Sequence, residues 1–272
     1  MLEAVLAFLG GLLIGSFLNV CIYRMPRDLS VVRPRSFCPQ CKKMVAWYDN
    51  IPVVSYLLLR GRCRHCQRGI SIRYPAVELL TGLLFALVVM LHGPTLAALK
   101  MWLFAALVVG LIFTDLEERI LPDEFTLGGT LAALVIAAIV PMPPGFLSLF
   151  VPPGFPLVWL SLGEAVLGAV VASGALWTVG KAYELLRKRE GLGFGDVKMV
   201  AMIGAFLGLS GALFTLVLGS VLGSVAGLAY ILVTRKDAST YQLPYGSFLG
   251  AATLVVAVIG DALLAWYLGL GR

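Results

Sequence analysis

Uninterrupted apolar runs of about twenty residues recur along this chain, the length an α-helix needs to cross roughly 30 Å of hydrocarbon. None alternates polar and apolar residues as a barrel strand does. With 60% hydrophobic and 13% charged residues, the chain has too little polar surface to cover a water-soluble core. The expected fold is therefore all-α, a polytopic membrane protein whose helices satisfy their own backbone groups inside the bilayer. The runs predict eight spans, at roughly 2–23, 76–92, 96–114, 125–141, 157–180, 197–210, 211–233 and 246–268. The first has Glu3 where a signal peptide carries a basic segment and no small-residue cleavage site after it, so it is expected to stay as a membrane helix.

Charge gives the topology. Arg24 to Tyr74 holds eleven Lys/Arg against Asp28 and Asp49, which predicts a cytoplasmic loop. Segments 115–124, 181–196 and 234–245 then fall on the same side with Arg119, Lys181, Arg187, Lys188, Arg189, Arg235 and Lys236. Lys198 brings the total to nineteen of 21 cations on that face, leaving Lys100 and Arg272 outside and placing the N-terminus outside. The net charge of +6 is thus expected to report topology, and no nucleic-acid partner is expected. The outer connection 141–156 has six prolines and no charge, and reads as a stiff segment along the membrane surface. Gly204/Gly208 and Gly219/Gly223/Gly227 have the spacing that lets membrane helices approach closely.

Four of the five cysteines form Cys38-Pro-Gln-Cys41 and Cys63-Arg-His-Cys66, with 21 residues between the pairs. Each CxxC sets two thiolates on one side of a tight turn, and two such turns close the tetrahedral cage of structural zinc. Paired disulfides fit a reducing cytosol poorly. Arg60, Arg62, Arg64, Arg68, Lys42 and Lys43 would offset the negative charge of a zinc tetrathiolate, and a nucleic-acid-binding ribbon is the rival reading. His65 could replace one thiolate; Cys21, inside the first span, reads as packing.

A charge in hydrocarbon costs about 2.5–3.5 kcal/mol even on a lenient scale, so each acidic residue near the membrane needs an account. Glu164 and Asp261 lie near outer helix ends and read as hydrated or paired, and Glu78 as paired with a cation of the basic loop. Asp115 ends the run Leu111-Ile112-Phe113-Thr114, and Asp196 opens one within Gly193-Phe194-Gly195-Asp196-Val197-Lys198. Two carboxylates in close approach do not both ionise cheaply; sharing a proton, they can act as base and acid on a water. The glycines before Asp196 allow an extended substrate close approach. The plain alternative is an N-cap aspartate and a boundary residue. Nucleotide, zinc-protease and Ser/His patterns are missing, with His65 and His92 the only histidines. Proton-coupled transport by membrane carboxylates is the rival from physics, and a zinc-bearing scaffold the non-enzymatic one.

Three segments together resemble the type IV prepilin peptidases, GxGD membrane aspartic proteases. They are the cysteine loop through Arg73-Tyr74-Pro75-Ala76-Val77-Glu78, Asp115-Leu-Glu-Glu-Arg-Ile-Leu-Pro-Asp123, and Gly193-Phe-Gly195-Asp196-Val-Lys198. The resemblance implies removal of basic leaders from prepilins or pseudopilins at the cytoplasmic membrane face. In members with the cysteine loop it also implies N-methylation of the new terminus from S-adenosylmethionine. It makes Asp115 and Asp196 the catalytic dyad, Gly193, Gly195, Lys198 and Asp123 its support, and Cys38, Cys41, Cys63 and Cys66 zinc ligands. It divides the chain into a first helix, 1–23, a zinc loop, 24–74, and a peptidase core, 75–272. The segment 141–156 departs from the family by lengthening the spacing between the two aspartates. Asp115, Glu117, Glu118, Asp123 and Glu124 against Arg119 form an acidic strip expected to draw a basic leader.

Overall fold

A computed structural model describes residues 1–189, 191–234 and 243–267, with side chains through Gly260. Arg235, Lys236, Arg272 and the side chain of Asp261 lie outside the described residues. The described residues contain no β-strand, and the backbone packs as two units, Met1–Thr114 and Asp115–Arg272.

In the first unit, α1 (Leu2–Arg24) and α3 (Arg73–His92) flank the hydrophilic stretch, which carries the short α2 (Val54–Leu58). The helices meet through glycine. A Cβ on Gly11 would lie 2.7 Å from Gly82 Cα, and one on Gly15 2.7 Å from Glu78 Cα, so a side chain at either position would push the pair apart. Asn19 Nδ2 donates to Tyr74 O at 3.0 Å across the same contact. Glu78 is buried, and its partner is not the expected cation: Oε2 accepts the Val53 N–H at 2.7 Å. The buried Arg24 braces the chain leaving α1 by donating to the carbonyls of Ser30, Pro34 and Arg35. Cys21 is buried within α1, as a packing residue should be.

Thr114 and Asp115, where the units divide, lie inside α4 (Leu96–Glu118). The second unit continues with α5 (Asp123–Ile139), α6 (Leu157–Leu167), a π-helical turn at Gly168–Ala172, α7 (Ser173–Arg187), α8 (Phe194–Thr234) and α9 (Tyr245–Tyr267). At 41 residues α8 would extend about 60 Å, twice the hydrocarbon thickness. It is broken at Gly208 (φ 72°, ψ −178°), close to where the sequence separates its sixth and seventh runs. The π-turn packs on α8 just before this break, so closely that a Cβ on Gly204 would run into the carbonyl of Gly168. Farther along, Gly219 and Gly223 face Leu249 and Phe248 of α9, so these glycines act in packing.

By length and composition, five helical stretches among the described residues can cross a membrane: Leu2–Arg27, Arg73–His92, Leu96–Glu118, Leu157–Arg187 and Phe194–Thr234. The apolar stretch Tyr245–Gly260 and the 17-residue α5 are shorter.

Of the two readings, hydrated or paired, Glu164 takes the second in the structure, with backbone partners. It is buried, and its carboxylate accepts the N–H groups of Phe146 and Leu147 at 3.2 and 2.9 Å, capping the 3-10 turn Phe146–Leu149 of the proline-rich segment.

Candidate active site and metal centre

Asp115 lies in the last turns of α4 and Asp196 in the first turn of α8, and both side chains are buried. They converge at the start of α9. A Cβ placed on Gly246 would be 3.2 Å from Asp115 Oδ2 and 3.2 Å from Asp196 Oδ1, so these oxygens lie within twice that distance of each other. A side chain there would make one or both carboxylates give by a few tenths of an ångström. The next residue, Ser247, donates both its backbone N–H and its hydroxyl to Asp115 Oδ2, each at 2.7 Å.

Local packing explains this convergence. Glycine contacts set α8 against α9, which brings Tyr245-Gly246-Ser247 back to the helix that opens with Asp196. The Asp196 N–H donates to Gly193 O at 3.1 Å, turning the chain into α8. A Cβ on Gly195 would meet Leu121 at 3.2 Å, so glycine there lets the 119–122 turn approach the GxGD segment. Lys198 forms an ion pair with Asp123, tying the first turn of α8 to the first turn of α5. Within the acidic strip Asp123 is thus paired, and Glu117 and Glu124 are exposed.

The four loop cysteines also come together, their sulfurs all within 4.8 Å of one another and Cys38 Sγ 3.9 Å from Cys66 Sγ. A tetrahedron with ~2.3 Å metal–sulfur bonds has edges of ~3.8 Å, so the cluster can hold a metal ion with small movements. The two knuckles repeat one backbone design. The first cysteine N–H donates to Lys43 O in one and Arg68 O in the other, both at 2.9 Å. The residue after the second cysteine, Lys42 (φ 60°) or Gln67 (φ 57°), turns left-handed and donates back to the first cysteine's carbonyl.

The backbone N–H groups of Cys66 and His65 lower the Cys63 thiol to about 7. At Cys66 the Arg68 N–H acts in the same sense, but burial and the thiols of Cys63, Cys41 and Cys38 outweigh it and push Cys66 up to about 11. Four thiolates therefore need a cation among them. The surrounding cations have other partners as well. Arg64 binds Asp49 through two hydrogen bonds of 2.6 and 2.7 Å, holding that carboxyl below its usual range, and Arg68 reaches Gln40 of the opposite knuckle at 2.5 Å. His65 is exposed and outside the cluster.

Sequence reasoning missed Gly246 and Ser247. A Pro-Tyr-Gly-Ser start reads as an ordinary helix entry, and nothing in it signals an aspartate 132 positions away.

Comparison with known proteins follows the same two parts. Residues 9–92 match the bacterial peptidase A24 N-terminal domain, and residues 101–228 match the type IV leader peptidase family. The chain is 37% identical over 287 residues to the prepilin leader peptidase/N-methyltransferase of Aeromonas hydrophila, covering 97% of this chain and 93% of that protein. The protein of that name from Neisseria gonorrhoeae is 37% identical over 290 residues, covering 97% and 94%. That from Myxococcus xanthus is 42% identical over 235 residues, covering 86% and 65%. No solved structure matches. With the cysteine cluster inside one matched region, both aspartates inside the other, and relatives aligned over nearly its whole length, the chain belongs to the type IV leader peptidase family.

Proposed function

We propose that this protein removes the basic leader from type IV prepilins or pseudopilins and N-methylates the new amino terminus, as the names of its relatives indicate for them. The peptidase is an aspartic endopeptidase with Asp115 and Asp196 as its catalytic pair. The observation that carries this assignment is the shared approach of both carboxylates to Gly246. A pair at that spacing, holding one proton, can deprotonate a water and protonate the scissile carbonyl without a metal or covalent intermediate. Gly193 leaves room beside Asp196 Oδ2, Gly195 lets Leu121 pack against the GxGD segment, and the Lys198–Asp123 pair holds α5 and α8 in place. The protein sits in the bacterial cytoplasmic membrane, with residues 24–74 and the catalytic aspartates on the cytoplasmic side and residues 75–272 forming the peptidase core. The charge asymmetry supports that orientation.

The test is intact mass of a prepilin incubated with purified protein. Loss of the leader supports the peptidase, and an added methyl mass with S-adenosylmethionine supports the transferase. A prepilin left whole by the wild-type protein would return proton-coupled transport or scaffolding as the better reading.

The metal is zinc, held by Cys38, Cys41, Cys63 and Cys66 in a structural role, since four thiolates leave no open position. Cys63→Ser is expected to lower bound zinc from about one per chain to well below half by elemental analysis. An undiminished zinc content would remove the assignment. S-adenosylmethionine supplies the methyl group. A cavity of about 270 Å³ between α1 and residues 31–50 has Arg24 and Arg35 in its wall, but it falls below the ~300 Å³ usual for ligand sites, and Arg24 is committed to three carbonyls. That cavity does not fit the whole cofactor, so no residue is assigned to it.

The acidic strip supports recognition of the leader. Reversing Glu117 and Glu118 to Lys is expected to raise KM for basic leaders about tenfold at low salt while kcat holds, an effect that shrinks as salt rises. An unchanged KM would dispose of the idea.

A further inference from the structure

The two candidate catalytic carboxylates are not equivalent. Asp115 Oδ2 accepts two hydrogen bonds of 2.7 Å from one residue, the backbone N–H and the hydroxyl of Ser247. Ser247 is the third residue of α9, at the positive end of the helix dipole, and its N–H is shared between Asp115 Oδ2 at 2.7 Å and Pro244 O at 3.2 Å. Two donors on one oxygen favour the ionised carboxylate and hold Oδ2, the oxygen nearest Gly246, in a fixed orientation. Asp196 has the backbone of Gly193 as its hydrogen-bond partner and presents Oδ1 toward Gly246 and Asp115.

Resting on the reading of Asp115 and Asp196 as the catalytic pair, we infer that Ser247 divides the labour between them. As a positioning residue it holds Asp115 as the carboxylate that takes the proton from water, and the pair's proton resides on Asp196. The water oxygen bonds to the scissile carbonyl carbon while its proton passes to Asp115 and the Asp196 proton passes to the carbonyl oxygen. In the second half Asp115 gives its proton to the departing nitrogen and the C–N bond breaks. A hydroxyl proton of the gem-diol then returns to Asp196, the carbonyl reforms, and both carboxyls are back in their starting states. The charged and titratable groups facing the pair are Arg119, just past the end of α4, and Tyr245 of α9 on the Asp196 side; exchanging Ser247 replaces neither.

The experiment measures kcat and KM for prepilin cleavage by the full-length protein across the acid and neutral range, for wild type, Ser247→Ala and Ser247→Thr. A hydrogen bond to an ionised group is worth about tenfold or more, so losing the hydroxyl is expected to move the acid limb of kcat upward by about one to two pH units. Below that limb kcat falls by about tenfold or more, and KM stays within about twofold, because the donor acts on the base and not on the leader. Ser247→Thr keeps a hydroxyl and is expected to restore the limb. Should the alanine variant not fold, Ser247→Cys, with a poor donor of similar size, is expected to show the same shift. An unmoved limb in the alanine or cysteine variant, or a threonine variant displaced as far as alanine, overturns the inference. Cleavage that survives Asp115→Asn overturns the reading of the catalytic pair instead, whatever the Ser247 variants do.

Discussion

Asp115→Asn and Asp196→Asn are each expected to lower prepilin cleavage by about 10³-fold or more, with the full leader mass retained. The amide matches the carboxylate in size, so packing at the start of α9 is kept. An amide oxygen in place of the Asp115 carboxylate can still accept from Ser247, but it cannot take a proton from water. The double variant is expected to be little worse than either single one, because residues that act as a unit do not contribute additively. Intact mass and a turnover assay check this, with the melting temperature as the fold control. Full cleavage by both single variants would remove the pair from the mechanism and leave Asp123 as the acid to examine.

Gly246→Ala should separate activity from stability. Its Cβ would stand 3.2 Å from Asp115 Oδ2 and from Asp196 Oδ1, tighter than ordinary van der Waals contact, so one or both carboxylates must shift. A misplacement of even part of an ångström in reacting groups can cost about 10²-fold in rate. At the second position of α9 Ala gains at most the about 1 kcal/mol it has over Gly in a helix interior, which offsets a small carboxylate shift. The expected result is a melting temperature close to wild type with kcat about a hundredfold lower. A variant with wild-type kcat would mean that the carboxylates do not meet at Gly246.

Much of this arrangement was legible in the amino-acid order, because it depends on local pattern. Run lengths show helices, CxxC spacing shows the cysteine cluster, and a glycine-flanked Asp196 at the head of an apolar run marks itself. What was not legible depends on which helix lies beside which. The hydrogen bonds of Ser247 cross 132 positions, and no periodicity registers them. The burial of Glu164 follows from the 3-10 turn of the proline-rich segment folding back onto α6, whereas its position near a helix end left water and a partner both open. Glu78 was matched to a cation because the neighbouring loop is basic, yet its partner is a backbone N–H that composition does not reveal. The division of the apolar stretch near residue 210 was legible, but not its form: one helix broken at Gly208, with the π-turn and Glu164 packed against the break.

The repeated knuckle design gives the metal a narrow task. Each half already satisfies its own backbone through the same pair of hydrogen bonds, so neither needs the ion to be shaped. What the ion adds is closure: it clasps two preformed halves and shortens the 21-residue stretch between them into a ring. The entropy of such a ring grows only with the logarithm of its length. The connecting stretch can therefore lengthen by several residues at small cost, while a change of spacing inside a knuckle would disturb the turn hydrogen bonds that shape it.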